Sequence, residues 1–239
     1  MSAPGMFLSN PFNFSFTFNT DGCSISDSST SSAWPLYVQI NELSPHLRKK
    51  HTMLARIYVD KKKPVTNDFL KPFVDQVYDL FTTGVSWESS SGMVLSKFVA
   101  LICSVDSPAR SSILQMKQYN GEYGCTWCYA AGKSFSRRHV YPVGKNPIKL
   151  RTDQEIRDAM IKSHETNTEI KGVKGPSALM LLPLFNLAKG MVVETMHCCY
   201  LGIIKKHSQL LFTKDYDIIS DEKLKKKQKS SCTLLHREA

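Results

Sequence analysis

Phe12-Asn13-Phe14-Ser15-Phe16-Thr17-Phe18-Asn19-Thr20-Asp21-Gly22 carries an aromatic ring at every second position, four times over. Successive side chains of a strand point to opposite faces, so this alternation predicts a strand with Phe12, Phe14, Phe16 and Phe18 on one face. Thr20-Asp21-Gly22 closes the strand and leaves Asp21 at its C-terminal end. Beyond a Ser-rich turn from Ser24 to Ser32, Trp34 to Ile40 predicts a second strand. His51 to Val59 predicts a third, closed by Asp60-Lys61-Lys62-Lys63-Pro64. Three strands on short connections form an antiparallel meander.

A helix follows. Thr66 or Asn67 caps it; Leu70, Phe73, Val74, Val77, Leu80 and Phe81 share one face; and Gly84 stops it. Pro72 suits so early a cap poorly, which puts the regular helix from near Lys71. The apolar run Met93 to Val105 reads as a strand buried on both faces or as a short buried helix, and it delivers Asp106. Ser107-Pro108 is a cap and an N1 proline for a helix that Gly121 ends. The order strand, strand, strand, helix, strand, helix predicts an α/β fold with an RNase H-like mixed sheet, whose fourth strand returns beside the first. Asp21 and Asp106 then stand at the ends of neighbouring strands.

Beyond Gly121 the predicted core gives way to a Cys-containing basic segment. Thr152-Asp153-Gln154-Glu155 is a capping box that opens a helix to about Glu165. Gly172 to Pro176 breaks the chain, Ala178 to Leu187 is apolar, and Met191 to Phe212 ends as a helix. The expected division is a core over 1–121, a zinc-binding and basic insertion with its helical continuation over 122–212, and a disordered polar tail over 213–239.

The 239 residues carry 31 Lys and Arg against 21 Asp and Glu, a net charge of +10. That excess favours a polyanionic partner, DNA, RNA or an anionic membrane, and equally describes a generically basic protein. The tail holds 7 basic and 5 acidic residues, so +8 resides in the body. No apolar run approaches the ~20 residues that span a bilayer, and the N-terminus has no signal-peptide pattern. The nucleus, or alternatively the cytoplasm, is the expected location. Seven cysteines in a reducing compartment read as metal ligands or buried apolar residues rather than bridges.

Three constellations carry chemistry. Cleavage of a phosphodiester by two metals needs carboxylates converging from separate elements, and Mg2+ prefers hard oxygen ligands. Asp21 and Asp106 meet that requirement; each alone also reads as a turn former or a helix cap. Cys125-Thr126-Trp127-Cys128 places two thiolates on one tetrahedral Zn2+, with His197 as a further ligand and Cys198, Cys199, His139 or His207 as the fourth. A redox pair and two inert cysteines are the competing readings. Between Ala130 and Thr152, Lys133, Arg137, Arg138, Lys145, Lys149 and Arg151 occur with no acid among them, alongside Phe135, His139 and Tyr141. Such a loop tracks a phosphate backbone or is simply solvated. No P-loop and no G-x-S-x-G is present, which removes support for ATPase and serine hydrolase readings.

From Phe14 to Phe212 the chain resembles the CACTA-type (En/Spm) DNA transposases and proteins derived from them. The resemblance rests on Asn19-Thr20-Asp21-Gly22, Ser32-Ala33-Trp34-Pro35, Ile40-Asn41-Glu42-Leu43-Ser44-Pro45, Val105-Asp106-Ser107-Pro108-Ala109-Arg110, Tyr123-Gly124-Cys125-Thr126-Trp127-Cys128 and Thr195-Met196-His197-Cys198-Cys199-Tyr200-Leu201-Gly202. It implies a D-D-E site that cuts and transfers DNA strands with Mg2+ or Mn2+. Asp21 matches the first acid and Asp106 the second, while Cys125 and Cys128 match a structural zinc pair. His197 matches the His of a D-x-x-H motif whose first position is here Glu194. The third acid of the family has no match after Phe212, nor has its N-terminal DNA-binding portion before Phe14. The resemblance therefore implies a truncated transposon-derived transposase, incomplete at the C-terminus and inactive alone. Its partner would be DNA at unspecified transposon ends, with a homo-oligomer as an open possibility and no membrane. A non-enzymatic or dominant-negative DNA-binding protein and a non-functional gene fragment are the alternatives.

Overall fold

The computed structural model describes residues 4–25, 31–90, 92–135, 138–142, 144 and 146–212. Two compact units result, Met1–Val193 and Glu194–Ala239.

In the first unit the elements run α1 (Pro4–Phe7), β1 (Phe14–Thr20), β2 (Cys23–Ser24), β3 (Ser32–Ile40), α2 (Pro45–Lys50), β4 (Met53–Asp60), α3 (Thr66–Thr82), β5 (Val85–Ser89), β6 (Gly92–Ser96), β7 (Phe98–Val105), α4 (Ser107–Ile113), β8 (Lys133–Phe135), β9 (Arg138–Val140), α5 (Asp153–Thr166), a 3-10 turn (Ala178–Leu181) and β10 (Met191–Val193). The main sheet is mixed. β1 pairs antiparallel with β3, Phe18 opposite Val38, and β3 pairs antiparallel with β4. On its other edge β1 runs parallel to β7, and β7 parallel to β10. The spatial order is β10-β7-β1-β3, with β2 and β4 both on β3.

The aromatic alternation of the first strand has the predicted effect. Phe16 and Phe18 are buried, and their rings meet Phe73 of α3 at 6.2 and 5.0 Å. Phe12 precedes the strand and is exposed. α3 buries Phe69, Leu70, Phe73, Val74 and Val77 against the sheet. It starts at Thr66, earlier than Pro72 suggests, with Val65 rather than Thr66 or Asn67 as its N-cap and no side-chain cap bond. Pro72 lies on the exposed face, where water can satisfy the carbonyl it leaves unpaired. Five buried side chains at about 1.5–3 kcal/mol each outweigh an interior proline that costs ~3 kcal/mol. Gly84, at φ +74°, ends the helix as expected, its N–H reaching the Asp79 carbonyl at 3.3 Å.

Two expectations are corrected. The apolar run Met93 to Val105 is two strands, because the chain breaks at Lys97 between β6 and β7 and β6 folds back on β5 as a hairpin. The helix expected to reach Gly121 stops at Ile113. Gln115 takes a left-handed φ of +51°, and the chain pairs with residues 172–174 through Lys117 N to Gly172 O (2.7 Å) and Lys174 N to Gln115 O (2.8 Å). Those main-chain bonds replace the helical ones.

The second unit contains a π-helical run, Met196–Ile204, that continues as α6 (Lys205–Phe212). Among its described residues Met196, Tyr200, Leu201, Ile203 and Ile204 are exposed. The expectation for 213–239 falls outside the described residues. Within the described residues no helix is long and apolar enough to cross a membrane.

Candidate active site

Asp21 directly follows β1, and Asp106 directly follows β7, its parallel neighbour. Both line one cavity of about 420 Å³ at that end of the sheet. Strand direction explains the convergence: parallel neighbours finish on the same edge, so the residues after them emerge side by side. Ser24, Ser32, Trp34, Lys63 and Gln118 complete much of the wall. Gly22 is required here by close approach, since a Cβ at that position would stand 2.5 Å from the Trp34 ring. Lys63 Nζ lies over that indole, 5.6 Å from the ring centroid.

Asp106 has a structural duty as well. It, rather than Ser107, is the N-cap of α4, and its Oδ1 accepts the Ala109 N–H at 2.7 Å. An N-cap carboxylate also meets the positive end of the helix dipole. Oδ2 remains for a cation. The donors at this cleft are thus two carboxylates with nearby hydroxyls, a hard-oxygen set that fits Mg2+ or Mn2+.

Cys125 and Cys128 are half-buried free thiols on the loop between α4 and β8. They adjoin one another: burial first, and then the neighbouring Cys125 thiol, push Cys128 up, while a backbone bond from Ala130 pulls it down. Arg151 organises this loop. It is 5% exposed; its Nε donates to the carbonyls of Cys125 and Cys128, both at 3.1 Å, and its Nη2 to those of Tyr123 and Lys171 at 3.2 and 2.8 Å. Its guanidinium also lies 4.3 Å from the Tyr129 centroid. Trp127 ties the loop to the sheet, donating its indole N–H to Met191 O at 3.1 Å beneath the Arg110 guanidinium, 4.0 Å away.

His139 stands edge-on to Tyr141, ring centroids 5.2 Å apart, and its Nε2 is buried without a hydrogen-bond partner. His197 belongs to the second unit, where Thr195 is the N-cap of the π-helical run and the Glu194 carboxylate accepts from its first N–H groups. Glu194 accepts from Met196 N at 2.8 Å and His197 N at 2.6 Å, and it pairs with His197 Nδ1 at 2.8 Å. Burial works to raise the Glu194 pKa, but these bonds outweigh it and hold the carboxyl below its ordinary value. Among the described residues no three His, Cys, Asp or Glu side chains come together as a metal group. Cys103, by contrast, is an inert core residue whose thiol burial pushes up.

Of the basic residues, Lys133 and Lys149 are exposed, and Lys149 pairs with Glu155. Arg138 lies in β9. Arg137 and Lys145 fall outside the described residues. Arg151 is turned inward, its Nε and Nη2 bonded to main-chain carbonyls while Nη1 is buried without a hydrogen-bond partner. Sequence reasoning gave no site role to Lys63, Trp34 or the hydroxyls of the cleft, which only the fold brings together.

Residues 3–167 match the family described as "Transposase family tnp2". The chain belongs to this transposase family, and the CACTA-type resemblance is consistent with it. Membership implies DNA as the partner in general. No curated protein matches the chain.

Proposed function

We propose that this chain carries an RNase H-like catalytic core of a DNA transposase, in which Asp21 and Asp106 hold divalent metal against a scissile phosphodiester. The observation that carries the reading is the shared cavity: two carboxylates from the ends of adjacent parallel strands face one 420 Å³ space. Support for the fold comes from the β1-β3-β4 antiparallel run, with β7 and then β10 added in parallel on the other side of β1. Bound Mg2+ or Mn2+ would activate water and stabilise the leaving oxygen. The protein's own part is positional. β1 and β7 fix where the two carboxylates emerge, the α4 cap fixes the rotamer of Asp106, and Lys63 offers a positive charge to the phosphate. Such chemistry acts on chromosomal DNA, hence in the nucleus.

Among the described residues the cleft holds two carboxylates, one fewer than a D-D-E site uses. Incubating the 239-residue chain with Mg2+ or Mn2+ and terminal-repeat DNA should therefore give DNA binding with little cleavage. Efficient Asp106-dependent cutting would contradict this inactivity. A structural zinc on Cys125 and Cys128 belongs to the same reading. Metal analysis of the purified chain should find zinc that Cys125→Ser and Cys128→Ser each remove. The division into a core over 1–121 and a zinc-binding, basic segment over 122–212 follows from these roles.

A second reading is favoured by one specific observation, the capping bond of Asp106. If that bond is its whole role, the chain is a non-enzymatic DNA-binding protein. Asp106→Asn then leaves metal binding unchanged, because asparagine caps as well as aspartate.

A further inference from the structure

The aspartate cleft does not end at α4. A second cavity of about 180 Å³ lies against it, and Ser112 and Gln118 form part of the wall of both. The remaining lining of the second cavity is Ser111, Gln115, Met116 and Lys174. Among the described residues none of its lining is acidic, whereas the first cavity carries Asp21 and Asp106. Along the joint wall the chemistry thus changes from cation-binding carboxylates to hydroxyls and amides, and then to one ammonium.

The far end of this path is held in place. Gln115 sits at φ +51°, a conformation that costs a non-glycine residue and persists only where its surroundings enforce it. Here they do: Gln115 N–H donates to Ser112 O at 3.1 Å, its side-chain amide donates to the same carbonyl at 2.8 Å, and its own carbonyl accepts Lys174 N–H at 2.8 Å. The main chain of Lys174 is thereby fixed to the turn that follows α4. At the near end, the Ser112 hydroxyl is 2.7 Å from that of Thr66, joining α4 to α3. The groove is built on rigid elements, and among the described residues its exposed Lys174 side chain is the only cation on the second cavity's wall.

We propose that these joined cavities are the track of one DNA strand: the reacting phosphodiester lies at Asp21 and Asp106, the backbone passes Ser112 and Gln118, and Lys174 takes a neighbouring phosphate. This rests on the DNA-cutting reading given above. Hydroxyl and amide groups suit a sugar-phosphate backbone without selecting a base, and the ammonium supplies the charge that a phosphate requires. Lys174 belongs to no basic run in the sequence, and only the turn at Gln115 brings it to the cleft.

The test is binding of a short fluorescein-labelled single-stranded DNA, followed by anisotropy in EDTA across a salt series. Lys174→Glu should weaken binding about 5- to 10-fold and flatten the log K against log salt slope by about 0.7, the share of one single-strand phosphate contact. Lys174→Arg should bind as the parent does. Lys162→Glu makes the same change of net charge on an exposed position of α5, away from both cavities, and should stay within about twofold. If Lys174→Glu and Lys162→Glu lose affinity equally, the track is wrong. EDTA keeps this result separate from the metal reading. A chain that fails to hold Mn2+ at the aspartates yet shows the Lys174 effect refutes the nuclease reading and retains the strand path; the reverse pair of results refutes the path alone.

Discussion

The sheet region and the Cys-containing segment after α4 are held by opposite means. Around β1, α3 and β7 the buried residues are almost all apolar: Phe16, Phe18, Leu36, Val38, Leu70, Phe73, Val74, Val77 and Cys103 form one cluster. From 117 to 151 the described buried residues are Gly124, Thr126, Gly132 and Arg151, and a single guanidinium bonded to four carbonyls replaces a core. Apolar burial is non-directional and shared among many side chains, so it survives modest change and confers global stability. A polar staple concentrates its effect in one residue, whose loss strands every acceptor it served. The first arrangement makes a rigid edge for two aspartates; the second makes a locally ordered loop for two thiols.

The contrast can be broken in several ways. Phe18→Ala should cost about 3–5 kcal/mol and lower the single unfolding transition of the first unit, as read by chemical denaturation. Arg151→Met should cost about 1–3 kcal/mol by leaving part-buried carbonyls unpaired. Hydrogen exchange should place that loss at 123–129 and 171, with β1 and β7 still protected. Equal loosening of the sheet would show that the two regions are not separately held. Asp106→Ala should cost about 1 kcal/mol for the lost cap, while Asp106→Asn should cost almost nothing, separating the structural duty of this residue from its proposed metal duty.

The smallest expected effect concerns α5. The side-chain bond from Lys149, then the Thr152 backbone N–H, hold Glu155 down to about 2. A depressed carboxylate pKa stabilises the fold in full above the ordinary glutamate range, and that contribution is lost as pH falls through about 2. NMR titration should find the Glu155 midpoint near there, and Glu155→Gln should remove this part of the acid sensitivity. A midpoint at the ordinary value would mean that Lys149 is free to serve DNA instead.

The same contrast explains what the sequence disclosed. Period-two aromatics in β1 and the apolar face of α3 announce themselves because burial selects side-chain type at fixed spacing. The Thr152 capping box was equally legible: Thr152 Oγ1 accepts from Glu155 N, and the Glu155 carboxylate accepts from Thr152 N. Arg151 as a staple was not. Its partners are main-chain carbonyls, which every residue possesses, so no local pattern distinguishes it from Lys149, which is exposed. The early stop of α4 was hidden for a similar reason, since Gln115 turns to satisfy bonds with a segment some 60 positions away in sequence. Asp21 and Asp106 could be paired from the order of strands, whereas Lys63 and Lys174, brought to the cleft by turns, could not.

The most direct test of the account is Mn2+ binding by electron paramagnetic resonance on the purified chain, with Asp21→Asn and Asp106→Asn as partners. The account predicts that the parent binds Mn2+ in competition with Mg2+ and that each substitution alone weakens binding at least ~10-fold, as expected when one of two shared charged ligands is lost. Unchanged Mn2+ affinity in both variants would contradict it, leaving the shared cavity without a metal and Asp106 as a helix cap alone.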